Sequence, residues 1–198
     1  KEQNLYQGIY YVKEIKSNEN YILNSENEYS INVNYNQTST IDIQNEHKKG
    51  NLEITKVDKE NSSITLANVG FELYNEDSNV LIGTYYTDEN GKIEIKDLRI
   101  GNYKLKEIST NKWYNLAENQ DLQINWDETT KTIVEDELKK GQIRIIKIDK
   151  EDKKIRIPNV TFEVQDVNGN ILEKITTDEN GEALTSKYPL RDYQSLRL

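Results

Sequence analysis

The sequence predicts an all-β fold, and three observations carry that prediction. Aliphatic residues and 13 tyrosines recur in short runs that alternate with polar residues, the period of a half-buried strand. Long stretches with the 3.6-residue period of an amphipathic helix are absent from those runs. Turn signals punctuate them, most clearly Asp88-Glu89-Asn90-Gly91 and Asp178-Glu179-Asn180-Gly181, which read as hairpin turns needing positive φ.

The strands justify themselves by phase. Leu52-Glu53-Ile54-Thr55-Lys56 puts Leu52, Ile54 and Lys56 on one face. Tyr103-Lys104-Leu105-Lys106-Glu107 does the same for Tyr103, Leu105 and Glu107. Leu122, Ile124 and Trp126 share a phase, which predicts core packing for the tryptophan. Thr132-Ile133-Val134-Glu135-Asp136 aligns Val134 with Asp136. Successive side chains of a strand point to opposite sides, so Lys56, Glu107 and Asp136 are all aimed where an apolar residue belongs. An unpaired charge there is very costly. An amine and two carboxyls arriving in one interior make either a salt-bridge triad or a covalent bond.

The same unit recurs along the chain. Gly50-Asn51-Leu52-Glu53-Ile54-Thr55-Lys56-Val57-Asp58-Lys59-Glu60 returns as Gly141-Gln142-Ile143-Arg144-Ile145-Ile146-Lys147-Ile148-Asp149-Lys150-Glu151. Asn68-Val69-Gly70-Phe71-Glu72 returns as Asn159-Val160-Thr161-Phe162-Glu163, and Thr87-Asp88-Glu89-Asn90-Gly91 as Thr177-Asp178-Glu179-Asn180-Gly181. Gly8-Ile9-Tyr10-Tyr11-Val12-Lys13-Glu14-Ile15 is similar to residues 101–108, and residues 41–50 are similar to 132–141. The period, Lys56 to Lys147, is 91 residues, a small-domain length rather than a solenoid repeat. The expected organisation is a complete unit over 50–139, the C-terminal half of a unit over 1–49 and the N-terminal half of another over 140–198. Broken repeats at both ends, in a chain without methionine, are expected of a piece of something longer.

Composition excludes several classes. The net charge of -9 and the lack of clustered Lys/Arg argue against nucleic acid and anionic lipid as partners. No apolar run approaches the length of a membrane-spanning helix. With no cysteine there are no disulfides, thiol nucleophiles or Cys-ligated metals. The single histidine, His47, removes Ser-His-Asp triads from the 50–139 unit and reads as a solvated linker residue. The Asp88-Glu89 and Asp178-Glu179 pairs lack the spacing of a calcium loop, so turns are expected and neither metal nor cofactor.

Taken together, Ile-Thr-Lys-Val-Asp at 54–58, Asn-Val-x-Phe-Glu, Thr-Asp-x-Asn-Gly, Gly-x-Tyr-x-Leu-x-Glu and a final Val-x-Asp before Lys-Lys-Gly resemble the collagen-adhesin B-type repeat, a family that includes SpaA-like pilin modules of Gram-positive surface proteins. The resemblance covers essentially the whole chain as partial, complete and partial copies. It implies Greek-key β-sandwiches of immunoglobulin-like or transthyretin-like shape. It also implies a self-formed isopeptide bond, with Lys56 as the amine, Asp136 as the acyl partner in place of the commoner Asn, and Glu107 as promoter. In the flanking half-units, Glu14 matches the promoter, Asn45 the acyl partner and Lys147 the amine.

The chemistry is self-consistent. An apolar interior favours the neutral forms of an amine and a carboxylic acid. A neutral amine is nucleophilic, and a protonated Glu107 could hydrogen-bond the Asp136 carbonyl and shuttle protons. Proximity in a rigid core supplies effective molarities of about 10⁵ M or more, in place of an activating reagent. Such a reaction happens once and is not turnover, so no enzyme is expected.

The function implied is a stalk or spacer module of a surface adhesin or pilus-like protein, extracellular and attached to the cell wall. Its partners would be neighbouring tandem domains and a host protein or glycan. Two alternatives stand beside it. One is a ligand-binding module in which exposed aromatics such as Trp113, beside Tyr114, grip a glycan or a host protein. The other is a non-catalytic appendage of a secreted enzyme. A sharper reading of the half-units has Lys147 of one chain meeting Asn45 of the next, with Glu14 as promoter. The tandem-array reading is favoured over it.

Overall fold

The computed structural model describes residues 5–190. Every regular element among them is a strand. In chain order they are β1 (Gly8–Lys13), β2 (Glu28–Val33), β3 (Lys49–Asp58), β4 (Gly70–Asn75), β5 (Val80–Tyr86), β6 (Lys92–Arg99), β7 (Gly101–Ser109), β8 (Gln120–Ile124), β9 (Thr129–Asp136), β10 (Lys140–Gly141), β11 (Arg144–Ile146), β12 (Thr161–Gln165), β13 (Ile171–Thr176), β14 (Glu182–Leu184) and β15 (Tyr188–Pro189).

Strands β3 to β9 make a sandwich of two sheets. One has the order β6-β3-β9, the other β5-β4-β7-β8. Strand β3 is central in the first sheet, antiparallel to β6 and parallel to β9. Between the sheets lie Leu52, Ile54, Phe71, Leu73, Ile93, Ile95, Leu105, Ile124 and Val134, all buried. The alternation in β3, with Leu52, Ile54 and Lys56 inward, is what a strand with one face on a core requires.

The repeated motifs clamp the crossings between sheets. Asn68 and Asn159 hold φ of 57° and 60°, the left-handed region that asparagine tolerates. The buried Thr87 hydroxyl accepts from Val69 N at 2.9 Å and donates to Leu66 O at 2.7 Å. Thr177 repeats both bonds, with Val160 N at 2.9 Å and Ile157 O at 3.0 Å.

The Asp-Glu-Asn-Gly turns form, with φ of 71° at Gly91 and 68° at Gly181, but they are not hairpins. Strand β5 pairs with β4 and β6 with β3, so the turn carries the chain from one sheet to the other. Asp88 Oδ1 accepts from Asn90 N at 2.9 Å and Lys92 N at 2.8 Å, which gives the first acid of the motif a turn-forming task. Gly91 also lies against β3: its carbonyl accepts from Lys56 N at 2.8 Å, and a Cβ there would meet Lys56 O at 2.7 Å. Gly91→Ala is therefore expected to cost about 1–3 kcal/mol, read as a lower urea midpoint, through strain at positive φ and a clash beside Lys56. An unchanged midpoint would show that the turn shifts freely.

The flanking segments reproduce parts of this sandwich in register. Ile145↔Ala183 of β11–β14 corresponds to Ile54↔Ile93 of β3–β6, and Phe162↔Ile175 of β12–β13 to Phe71↔Tyr85 of β4–β5. On the other side, Tyr10↔Ile31 of β1–β2 corresponds to Tyr103↔Leu122 of β7–β8.

Two further expectations need correction. Trp126 is 52 % exposed, because β8 ends at Ile124 and the chain turns at Asp127 (φ 56°), so the strand phase does not reach the indole. Its ring instead lies under Lys48 Nζ, 4.8 Å from the centroid. His47 is half-buried rather than a solvated linker residue. It forms an antiparallel bridge with Tyr21 and packs on its ring at 4.2 Å between centroids.

Candidate functional site: a buried amine between two carboxyls

Lys56 and Asp136 come from neighbouring parallel strands, and Glu107 from the facing sheet. In the β3–β9 register Lys56 lies opposite Val134, and Asp136 opposite Asp58. Asp136 is thus the diagonal neighbour of Lys56 on the inward face, within reach of a long side chain. In the other sheet Glu107 lies opposite Phe71, next to a β-bulge at Gly70/Phe71. The relative exposures are 0 % for Lys56, 0 % for Asp136 and 5 % for Glu107.

The three side chains touch. Lys56 Nζ donates to Glu107 Oε2 at 3.0 Å and makes a short contact with Asp136 Oδ1. The ammonium also sits 5.9 Å from the Phe71 ring centroid. Glu107 Oε2 accepts a second bond from Ala117 N at 2.9 Å. Glu107 Oε1 is buried without a hydrogen-bond partner among the described residues. Burial pushes the Glu107 carboxyl above its ordinary range, against the opposing pull of Ala117 N–H and Lys56. A proton on this carboxyl is what would turn the unpartnered oxygen into a donor.

One participant was missed from the sequence. Thr110 Oγ1 donates to Asp136 Oδ2 at 2.6 Å, so both oxygens of Asp136 are held, one by the amine and one by a hydroxyl.

The leading unit carries an equivalent cluster around Glu14 and Asn45. Asn45 Nδ2 donates to Glu14 Oε1 at 2.6 Å and to Ser17 Oγ at 2.9 Å. Asn24 N donates to Glu14 Oε2 at 3.1 Å, as Ala117 N does to Glu107 Oε2. The bonds from Asn45 and Asn24 hold the half-buried Glu14 carboxyl below its ordinary range, the opposite of Glu107. Lys147 is half-buried in the trailing unit. Its N donates to Gly181 O at 2.8 Å, as Lys56 N does to Gly91 O. The bonds of Glu14 and Asn45 run to each other, to Asn24 and to Ser17, not to Lys147.

Trp113 is half-buried, with Lys112 Nζ 4.6 Å from its ring centroid. Its carbonyl accepts from Lys139 N at 2.7 Å, which ties this loop to the chain leaving β9. Among the described residues no group of His, Cys, Asp and Glu side chains is arranged to hold a metal ion, and no helix is long and apolar enough to cross a membrane.

The family description "SpaA: Prealbumin-like fold domain" matches residues 50–138 and again 141–195. Among solved structures, the Bacillus anthracis TIE protein is 34% identical, with a TM-score of 0.61 over 93% of this chain and 35% of that one. A streptococcal ancillary pilin is 20% identical, with a TM-score of 0.43 over 93% of this chain and 64% of its own. The minor pilin GBS52 of Streptococcus agalactiae is 24% identical, with a TM-score of 0.41 over 68% of this chain and 62% of its own. The chain spans about a third of the first of these and less than two thirds of the other two. No curated protein matches it.

Proposed function

The chain belongs to the SpaA family of prealbumin-like fold domains, and from that premise we propose that it is a load-bearing stalk segment of a Gram-positive surface protein, held by a Lys56–Asp136 isopeptide bond. The observation that carries this reading is the completely buried amine lying between two carboxyls, one on its own sheet and one on the facing sheet.

A proton passes from the Lys56 ammonium to Asp136 Oδ1 across their contact, and the free amine then attacks the carboxylic acid at Asp136 Cγ. A C–N bond forms, a C–O bond breaks, and water leaves. Glu107 takes a proton from the attacking nitrogen and delivers one to the departing oxygen. Two buried charges are exchanged for a neutral amide, which removes their desolvation cost.

The placement suits a tether. Both partners sit near the C-terminal ends of β3 and β9. Tension entering at residue 50 and leaving at residue 139 would pass through the amide, and residues 57–135 would be spared. In this reading the units 1–49, 50–139 and 140–198 are parts of successive domains in an extracellular, wall-attached array, and the chain performs no turnover chemistry. Its partners are the neighbouring domains.

Intact mass tests the bond. The purified chain is expected to weigh about 18 Da less than its sequence, the water lost on acylation. Digestion should yield a branched peptide joining Lys56 to Asp136. A full mass with no branched peptide rejects the proposal.

A further inference from the structure

We infer that Thr110 is a positioning residue for amide formation, presenting the Asp136 carboxyl to Lys56; the inference rests on the isopeptide reading above. Three observations carry it. Thr110 Oγ1 holds Asp136 Oδ2 at 2.6 Å, a length typical of a hydroxyl donating to a carboxylate. The other oxygen, Oδ1, faces Lys56, so the carboxyl is gripped from both sides. A hydroxyl at the matching position also holds the acyl side chain of a second unit, there through the amide nitrogen. Ser17 stands three residues after Glu14, as Thr110 stands three after Glu107, and Ser17 Oγ accepts from Asn45 Nδ2 at 2.9 Å.

A hydroxyl suits both units because it carries one donor and two acceptor lone pairs. Toward a carboxylate it donates, and toward a carboxamide it accepts. The position thereby serves an aspartate in one unit and an asparagine in the other without further change. Valine, the isostere of threonine, could do neither.

The grip also selects the oxygen that leaves. Oδ1 lies on the Lys56 side, where Glu107 can deliver the proton it took from the amine. Oδ1 departs as water, and Oδ2 remains as the amide carbonyl, still accepting from Thr110. Bonds made and broken balance as in the uncatalysed condensation of an amine with an acid. Without the hydroxyl the carboxyl can rotate about its Cβ–Cγ bond, and the near-attack geometry is populated for less of the time.

The test follows bond formation after rapid cell-free synthesis of the whole chain, with timed acid quenching and intact mass as the readout. Thr110→Val is expected to slow the appearance of the dehydrated mass on the order of ten- to a hundredfold. Thr110→Ser should restore a rate close to the starting chain. With Asp136→Asn the hydroxyl would instead accept from Nδ2, the leaving nitrogen, as Ser17 does from Asn45, so loss of ammonia is also expected to slow when the hydroxyl is removed. Circular dichroism of each variant reports folding separately. A starting chain that never loses water overturns the bond and this inference with it. A starting chain that links while Thr110→Val links equally fast overturns the positioning role alone. Equal slowing by Thr110→Ser and Thr110→Val also overturns it, since side-chain packing and not the hydroxyl would then set the rate.

Discussion

Lys56→Arg is expected to lower the highest melting transition of the chain by about 20 °C or more. The amide closes a loop whose anchors are 80 positions apart. Constraining the unfolded chain over that length is worth about 4–5 kcal/mol. In a domain of roughly 90 residues, 1 kcal/mol moves the midpoint by about 4–8 °C. Asp136→Ala should be worse than Lys56→Arg, because it also strips a fully buried ammonium of one of its two carboxyls. Removing one partner of a buried pair costs about 3–5 kcal/mol. Asp136→Asn separates the bond from the side chain: it can still acylate, losing ammonia, and should keep most of the melting temperature at a mass about 17 Da below its own sequence. Scanning calorimetry on the four chains decides it. Superimposable curves for Lys56→Arg and the starting chain would mean that no covalent tie supports the sandwich.

Much of this site was readable because two periodicities coincide. The period-2 phase of β3, β7 and β9 aimed Lys56, Glu107 and Asp136 inward, and a strand with one buried face cannot slip by one residue without turning all its apolar groups out. The 91-residue repeat then tied Glu14 to Glu107, Asn45 to Asp136 and Lys147 to Lys56. Thr110 escaped because it lies past Ser109, where β7 ends and strand phase says nothing of direction. The repeat held the missing signal, a hydroxyl three residues after each promoter glutamate. Trp126 failed for the related reason that phase was extended past the end of β8. The turn at residues 88–91 was legible but its partners were not. Local chemistry sets the reversal, whereas the sheet each strand joins depends on the core that Leu52, Phe71 and Leu105 build together.

Glu107→Gln is expected to leave the chain folded and unlinked. Its amide keeps the shape of the side chain and could still face Lys56 and Ala117 N, but it can neither accept the proton from the attacking nitrogen nor pass one to the leaving oxygen. General acid–base assistance of this kind contributes about 10²–10⁴ in rate, so full, undehydrated mass should persist long after the starting chain has linked. Glu107→Ala should behave alike in mass while leaving a cavity beside Phe71, and both variants should melt at least as low as Lys56→Arg. The pH dependence follows from burial. Folding raises the Glu107 carboxyl above its ordinary value of 4.5, so the protonated form that can hydrogen-bond Asp136 persists at pH values where an exposed glutamate is already ionised. Bond formation should therefore continue above pH 4.5 and slow as pH rises through the elevated value, when Glu107 ionises. Quenched time courses across that range, read by intact mass, measure it. Linkage of Glu107→Gln at the rate of the starting chain would remove the proton-transfer role and leave Glu107 as the charge partner of a buried lysine.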